Sequence, residues 1–422
     1  MTARPEPPPP ALRWAAMAVI SLAMFASSYV YDSVGPLAKV LADQLRFTDS
    51  DIGLLQAVCS LPNIFMVLLG GVVLDYIGVR RAFLLFALLC FAGAALTAAG
   101  PPLSLMLAGR LIFGLGIGCL SVAANTGIAT WFSGERLSFV FGLNLTISRL
   151  GSLVAQISPS WAPWAYTGWR MPLLIAAAFG ALILLAAVGY GFFEGWVSRR
   201  HTLGGTTSKI PGSGWAFGRG YHWAVLLCVA FYASIFPFQT FAQKFFVEAH
   251  RVTSEQAALL VGLVTVVAMV ATPVFGLVVD RIGKRPLLLV IGCALLTPVF
   301  LMMAHPGFPL LVPMLLMGLA FSLVPAVLWP AVMLMVPPQR LGRAFGLMSM
   351  VQSIGLTGFN LLIGWTNDAS GAGPVNPSGY TLGLLLFTLA SLIALGFAFA
   401  LRHHERGPAR HGLEYPAGSM PH

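Results

Sequence analysis

The amino-acid sequence predicts an all-α membrane protein of twelve transmembrane helices in two pseudo-symmetric six-helix halves. Three observations carry that expectation: a composition too apolar for water, twelve apolar segments of spanning length, and a repeat relating the first six segments to the last six. Of 422 residues 58% are hydrophobic and 9% charged, and the mean hydropathy is +0.84. A soluble globule carries far more charge than this, so the chain finds its solvent in lipid.

The segments follow in order. A hydrocarbon core of roughly 30 Å needs about 20 residues of helix at 1.5 Å each. Apolar runs of that order lie at 14–40, 52–74, 82–100, 103–131, 138–160 and 171–193, then at 221–247, 255–279, 286–304, 308–335, 343–367 and 379–401. The organisation read from them is a disordered tail over 1–13, a six-helix half over 14–194, a linker over 195–220, a second half over 221–401 and a tail over 402–422. The Gly204-Gly205-Thr206-Thr207-Ser208 run inside the linker is a flexible composition. The first apolar run has no small-residue cleavage site, so no removable signal is expected.

The net charge of +10 is a matter of topology. With twelve spans, Arg4, Arg13, Arg80, Arg81, Arg136, Arg199, Arg200, Lys209, Arg219, Arg281, Lys284, Arg285, Arg340, Arg343, Arg402, Arg406 and Arg410 share one side, 17 in all, against Lys39, Arg46, Arg170, Lys244 and Arg251 on the other. The positive-inside rule then places both termini and the linker in the cytoplasm and removes nucleic acid as a partner. Cys59, Cys90, Cys119, Cys228 and Cys293 each lie inside an apolar run. They show no metal or disulfide spacing, and no metal or cofactor is expected.

The halves repeat each other. Gly71, Asp75 and Gly78 recur as Gly276, Asp280 and Gly283, offset by 205, each set closing a span and entering a short basic loop. Arg136, Leu137, Phe141, Gly142, Leu143 and Gly151 recur as Arg340, Leu341, Phe345, Gly346, Leu347 and Gly355, offset by 204. Parallel six-span repeats with a substrate site near the midplane are a transporter architecture. Arg80 and Arg81 follow the first set, Arg281, Lys284 and Arg285 the second. A carboxylate at Asp75 suits the positive N-terminus of a neighbouring helix, where Arg340 or Arg343 begins the eleventh span. These loops are therefore read as gating elements.

The two copies resemble the signature loop of the major facilitator superfamily, and Arg110 with Gly114, Gly116 and Gly118 resembles its fourth-helix motif. Arg110 joins the gating set on that likeness. Tyr31-Asp32, Leu61-Pro62-Asn63, Asn125-Thr126, Trp131-Phe132, Ser148-Arg149-Leu150-Gly151, Phe236-Pro237-Phe238, Lys244-Phe245-Phe246, Leu328-Trp329-Pro330 and Ala344-Phe345-Gly346-Leu347-Met348 resemble the family of major facilitator superfamily domain-containing protein 1. The resemblance implies movement of dipeptides. It retains the family's fifth-helix arginine as Arg149, whereas the family's fourth-helix glutamate is matched here by Gly118.

Ionisable residues deep in a membrane are costly and default to functional or paired roles. Asp32, Arg110 and Arg149 qualify, and the repeat sets Pro237, Met314 and Ser353 against them, so these charges belong to the first half alone. Lys244 has Lys39 as counterpart, which suits a snorkelling residue at the interface. Thr146, Arg149, Ser152 and Gln156 make one polar face of the fifth span. About 11 residues from the start of that span, Arg149 lies roughly 16 Å deep. A pairing of Arg149 or Arg110 with Asp32 is the alternative to substrate binding. Arg110, Gly114, Ser121 and Asn125 share a face of the fourth span, for substrate or for helix contact. The substrate-binding candidates are Arg149, Asp32, Tyr31, Asn125, Thr146, Ser152, Phe236, Gln239, Lys244, Trp329 and Ser353.

The expected function is a secondary carrier of small carboxylate-bearing solutes, dipeptides first, by alternating access, with uniport over proton coupling. A small organic anion carrier, a proton-coupled drug exporter and a transport-inactive receptor are the alternatives. No nucleophile elbow, phosphate loop or metal spacing suggests an enzyme. The expected partners are a small-molecule substrate, dipeptide or organic anion, and the lipid bilayer, with protons as a further candidate and a monomeric chain. The 20 Arg against four Lys fits a high-GC genome, and with it a bacterial cytoplasmic membrane.

Overall fold

A computed structural model describes residues 8–132, 137–201, 217–305, 307–337, 341–407 and 412–415, and within them all side chains except those at 67, 68, 71, 72, 75, 137–139, 280, 341 and 342. Among the described residues there is helix and no strand. Among the described residues ten segments are long and apolar enough to cross a membrane. The chain is a multi-pass membrane protein.

The helices run α1 (Pro10–Asp32), α2 (Val34–Leu45), α3 (Asp49–Ser60), α4 (Asn63–Ala98), α5 (Leu103–Trp131), α6 (Leu137–Gln156), α7 (Ser158–Trp161) and α8 (Arg170–Val197). After the linker come α9 (Arg219–Ala249), α10 (Ser254–Ile282), α11 (Arg285–Leu296), α12 (Val299–Ala304), α13 (Leu311–Met335), α14 (Leu341–Ala369) and α15 (Tyr380–Glu405). The run at 52–74 is interrupted at Leu61-Pro62, where α3 gives way to α4. The run at 138–160 corresponds to α6.

Local sequence explains the breaks. Pro36 has no N–H to give the Asp32 carbonyl, and the first span divides at Ser33 into α1 and α2. Gly78 and Gly283, equivalent in the repeat, have φ of +79° and +67°, a region open to glycine, and each turns the chain between two spans. Thr48 and Asp51 start α3 with a capping box. The Asp51 carboxylate accepts from the Thr48 N–H at 2.9 Å, and the Thr48 hydroxyl accepts from the Asp51 N–H at 3.1 Å.

The expected boundaries shift where helix physics overrides composition. Helix α1 begins at Pro10, within the stretch expected as a tail, and proline is well suited to the first turn of a helix. Helix α15 continues to Glu405, and residues 412–415 of the tail fold back. Most of the 195–220 linker, residues 202–216, lies outside the described residues.

Two compact units form. The first comprises Met1–Val40, Val58–Ala155 and Trp164–Lys209, the second Leu41–Ala57, Gln156–Pro163 and Ile210–His422. In the first, α4 packs on α5 and α8, and α1 on α8, around Ile20, Phe83, Phe113, Ile183 and Tyr190. In the second, α10 packs on α13 and α15 on α9 and α11. There Phe238 meets Phe300, Phe387 and Phe246 edge-on. Leu185 and Phe192 of α8, and Val270 and Leu277 of α10, are exposed two turns apart along one face of each helix, as a lipid-facing stripe is. All five cysteines are buried free thiols.

Candidate functional site

In the first unit a polar seam joins α1 to α6. The Ser21 hydroxyl donates to Asn144 at 2.9 Å, Ser28 and Ser148 share a hydrogen bond of 2.6 Å, and Ser152 hydrogen-bonds the Asp32 carboxylate. Residues 144, 148 and 152 are successive turns of one helix face. The helices approach so closely that a Cβ at Gly151 would meet the Phe25 carbonyl. Arg149 follows Ser148 on α6 and is half-buried. Thr146 is exposed, and its hydroxyl is engaged with the Gly142 carbonyl at 3.0 Å. Tyr31 shares a hydrogen bond of 3.0 Å with Ser60. Asn125 is exposed on α5.

Arg110 sits where α1 ends. Its guanidinium donates to the carbonyls of Val30 at 3.0 Å and Tyr31 at 3.1 Å, in the last turn of α1. Its charge also acts on Asp32. Sequence placed Arg110 with the gating residues. In the structure it caps α1, which does not test that expectation, and Gly114 and Gly116 of the same helix lie against Cys59 and Cys90 as packing surface.

In the second unit an aromatic group forms around Tyr232, a residue the sequence did not single out. Phe236 stacks on it at 5.6 Å, and Trp329 donates its indole N–H to the Tyr232 hydroxyl at 3.3 Å. The Gln239 amide nitrogen is buried with no hydrogen-bond partner among the described residues. Ser353 is buried on α14.

Lys244 differs from the snorkelling expectation. It is buried, paired with Asp49, and 4.0 Å from Glu248. The Asn367 amide donates to the other Asp49 oxygen at 2.9 Å, Tyr380 donates to Glu248, and the Asp368 carboxylate accepts from the Asp49 and Ser50 N–H groups at 2.8 Å each. Burial pushes the Asp49 carboxyl above its ordinary range, against the Lys244 charge that holds it down. Asp49 looks in sequence like a solvated loop acid. The Thr48-Asp51 start box was the signal that it opens a helix.

Of the gating candidates, the side chains of Asp75 and Asp280, Gly71 beyond its backbone, and Arg340 lie outside the described residues. Gly276 lies within α10. Arg81, Arg281 and Lys284 are exposed, and Arg343 is half-buried. Arg80 lies over Gly191 and Gly195 at the end of α8, and its charge acts on Glu194. The equivalent Arg285 is buried.

A family model of the Major Facilitator Superfamily matches residues 20–359 and again 223–416. The chain belongs to this superfamily. Among major facilitator proteins it is 31% identical over 363 residues to the lysosomal dipeptide transporter MFSD1 of Danio rerio, covering 82% of this chain and 79% of the relative. Against MFSD1 of Homo sapiens the identity is 29% over 363 residues, covering 82% and 78%. A solved bacterial homologue of the human lysosomal transporter Spinster shares the major facilitator fold. It has a TM-score of 0.74 and 16% identity over 94% of this chain and 98% of that one. As a major facilitator protein the chain is a secondary transporter for a small-molecule substrate.

Proposed function

We propose that this transporter carries small solutes bearing a carboxylate, dipeptides first, by alternating access as a uniporter. The observation that carries the reading is Arg149, a half-buried guanidinium on α6 one turn from the Asp32–Ser152 hydrogen bond. A planar guanidinium takes a carboxylate bidentately. The relatives at about 30% identity are dipeptide transporters by name. Within the same unit, Asp32 offers a carboxylate to a substrate ammonium.

Gly118 favours a second reading, a small organic anion carrier, because glycine has no side chain to receive an ammonium. The address we propose is a bacterial cytoplasmic membrane with both termini inside, and the working form a monomer. The signature loops serve as gates.

Uptake by the purified protein in reconstituted vesicles tests the reading. Free dipeptides are expected to enter and to raise the melting temperature of the protein, as a ligand of the native state must. C-terminally amidated peptides are expected to do neither. Equal uptake of amidated and free peptides would overturn the carboxylate assignment, and uptake of organic anions without dipeptides would select the second reading.

A further inference from the structure

The second signature loop is held by the C-terminal tail. Helix α10 ends at Ile282 and α11 begins at Arg285, with Gly283 and Lys284 both at positive φ, +67° and +43°. Lys284 stands at the N-cap of α11 and its side chain makes no cap. The first N–H groups of a helix have no partner within it and need one from elsewhere. Here the tail supplies it. The Lys284 N–H donates to the Glu414 carbonyl at 3.2 Å, the Arg285 N–H to the Leu413 carbonyl at 3.0 Å, and the Arg285 guanidinium to the Tyr415 carbonyl at 3.1 Å.

The tail is shaped for this contact. Gly412, at φ +81°, opens a turn closed by the Tyr415 N–H on the Gly412 carbonyl at 3.2 Å. Leu413 is fully buried, and its N–H faces the Glu405 carboxylate at 3.4 Å. Glu405 is itself buried at the end of α15. The repeat supplies a comparison within the molecule. Arg80, equivalent to Arg285, meets the last helix of its own half through side-chain packing and charge, at Gly191, Gly195 and Glu194. In the second unit backbone carbonyls beyond the last helix do that work.

We propose that Gly412 to Tyr415 form a strap belonging to the second signature loop, which caps α11, sets the position from which Arg281, Lys284 and Arg285 act, and is required for turnover. This rests on reading the signature loops as gates. Leu413 and Gly412 are positioning residues, and their effect on transport passes through Arg285.

The test compares the full chain in lipid nanodiscs and vesicles with a stop after Gly407, with Leu413→Asp and with the milder Leu413→Ala. Amide exchange in the first turn of α11 is expected to quicken about tenfold in the first two, the effect of losing roughly one net hydrogen bond. The maximal uptake rate is expected to fall severalfold at unchanged substrate affinity. Arg285→Gln is expected to lower the rate in the wild type and to add little to Leu413→Asp. Wild-type exchange in both strongly perturbed variants would overturn the strap, as would quickened exchange with an unchanged rate. If the stop and Leu413→Asp both fail to fold, the same comparisons are read on Leu413→Ala. Wild-type transport by Arg281→Gln, beside impaired Leu413 variants, would instead refute the gating reading and leave the strap standing.

Discussion

Lys244 on α9 is paired with Asp49 at the start of α3, 195 residues away in sequence, and both side chains are buried. The pair is one part of a network with Asn367, Glu248 and Tyr380. It brings the segment Leu41–Ala57 into the second compact unit. Removing one member of a buried pair costs about 3 to 5 kcal/mol, because the other charge is left without its counterion. Lys244→Met is therefore expected to lower the melting temperature more than Lys39→Met at the equivalent position of the repeat. Equal small shifts for the two would contradict the pairing.

Arg110 is expected to be intolerant of lysine. A guanidinium spans the Val30 and Tyr31 carbonyls together, whereas an ammonium is a point donor. Hydrogen bonds to a charged group contribute about 1.5 to 3 kcal/mol each, so Arg110→Lys is expected to destabilise the protein by roughly that amount. Thermal melting in detergent reads the effect. A melting temperature equal to wild type would show that the cap on α1 is dispensable.

For Arg149 the expected loss is functional. Arg149→Lys keeps the charge and loses the fork, so uptake of free dipeptides is expected to fall about tenfold or more, equivalent to about 1.4 kcal/mol of lost binding. The melting temperature without ligand is expected to stay near wild type. Normal transport by this variant would remove Arg149 from the substrate site.

Asp75→Asn preserves shape and removes charge at the first signature loop. Its transport is expected to fall while expression and ligand binding persist, since a gate contact with a helix N-terminus needs the carboxylate. Transport at the wild-type rate would count against gating.

Topology is open to direct labelling. A cysteine at Ser213, in a cysteine-free background, is expected to react with membrane-impermeant thiol reagents only after the cytoplasmic face is opened, as the distribution of basic residues requires. Labelling from the periplasm of intact cells would invert the proposed orientation.

Much of the architecture was legible in the sequence because it depends on local rules. Bilayer thickness sets the length of apolar runs, and the repeat of Gly78 at Gly283 marks two turns, both at positive φ in the structure. Ser152, one residue of the polar stripe readable from helical periodicity, hydrogen-bonds Asp32. Other features depended on which distant groups meet. Whether Lys244 snorkels or is paired turns on Asp49, the carbonyls that Arg110 takes belong to α1, and where residues 412–415 lie turns on two N–H groups at the start of α11. Sequence determined the helices and their polar faces, since 1.5 Å of rise and 3.6 residues per turn are properties of the chain alone. Only the tertiary structure decided the partners, because a buried charge or an uncapped helix end takes the nearest group in space, and no periodicity records which group that is.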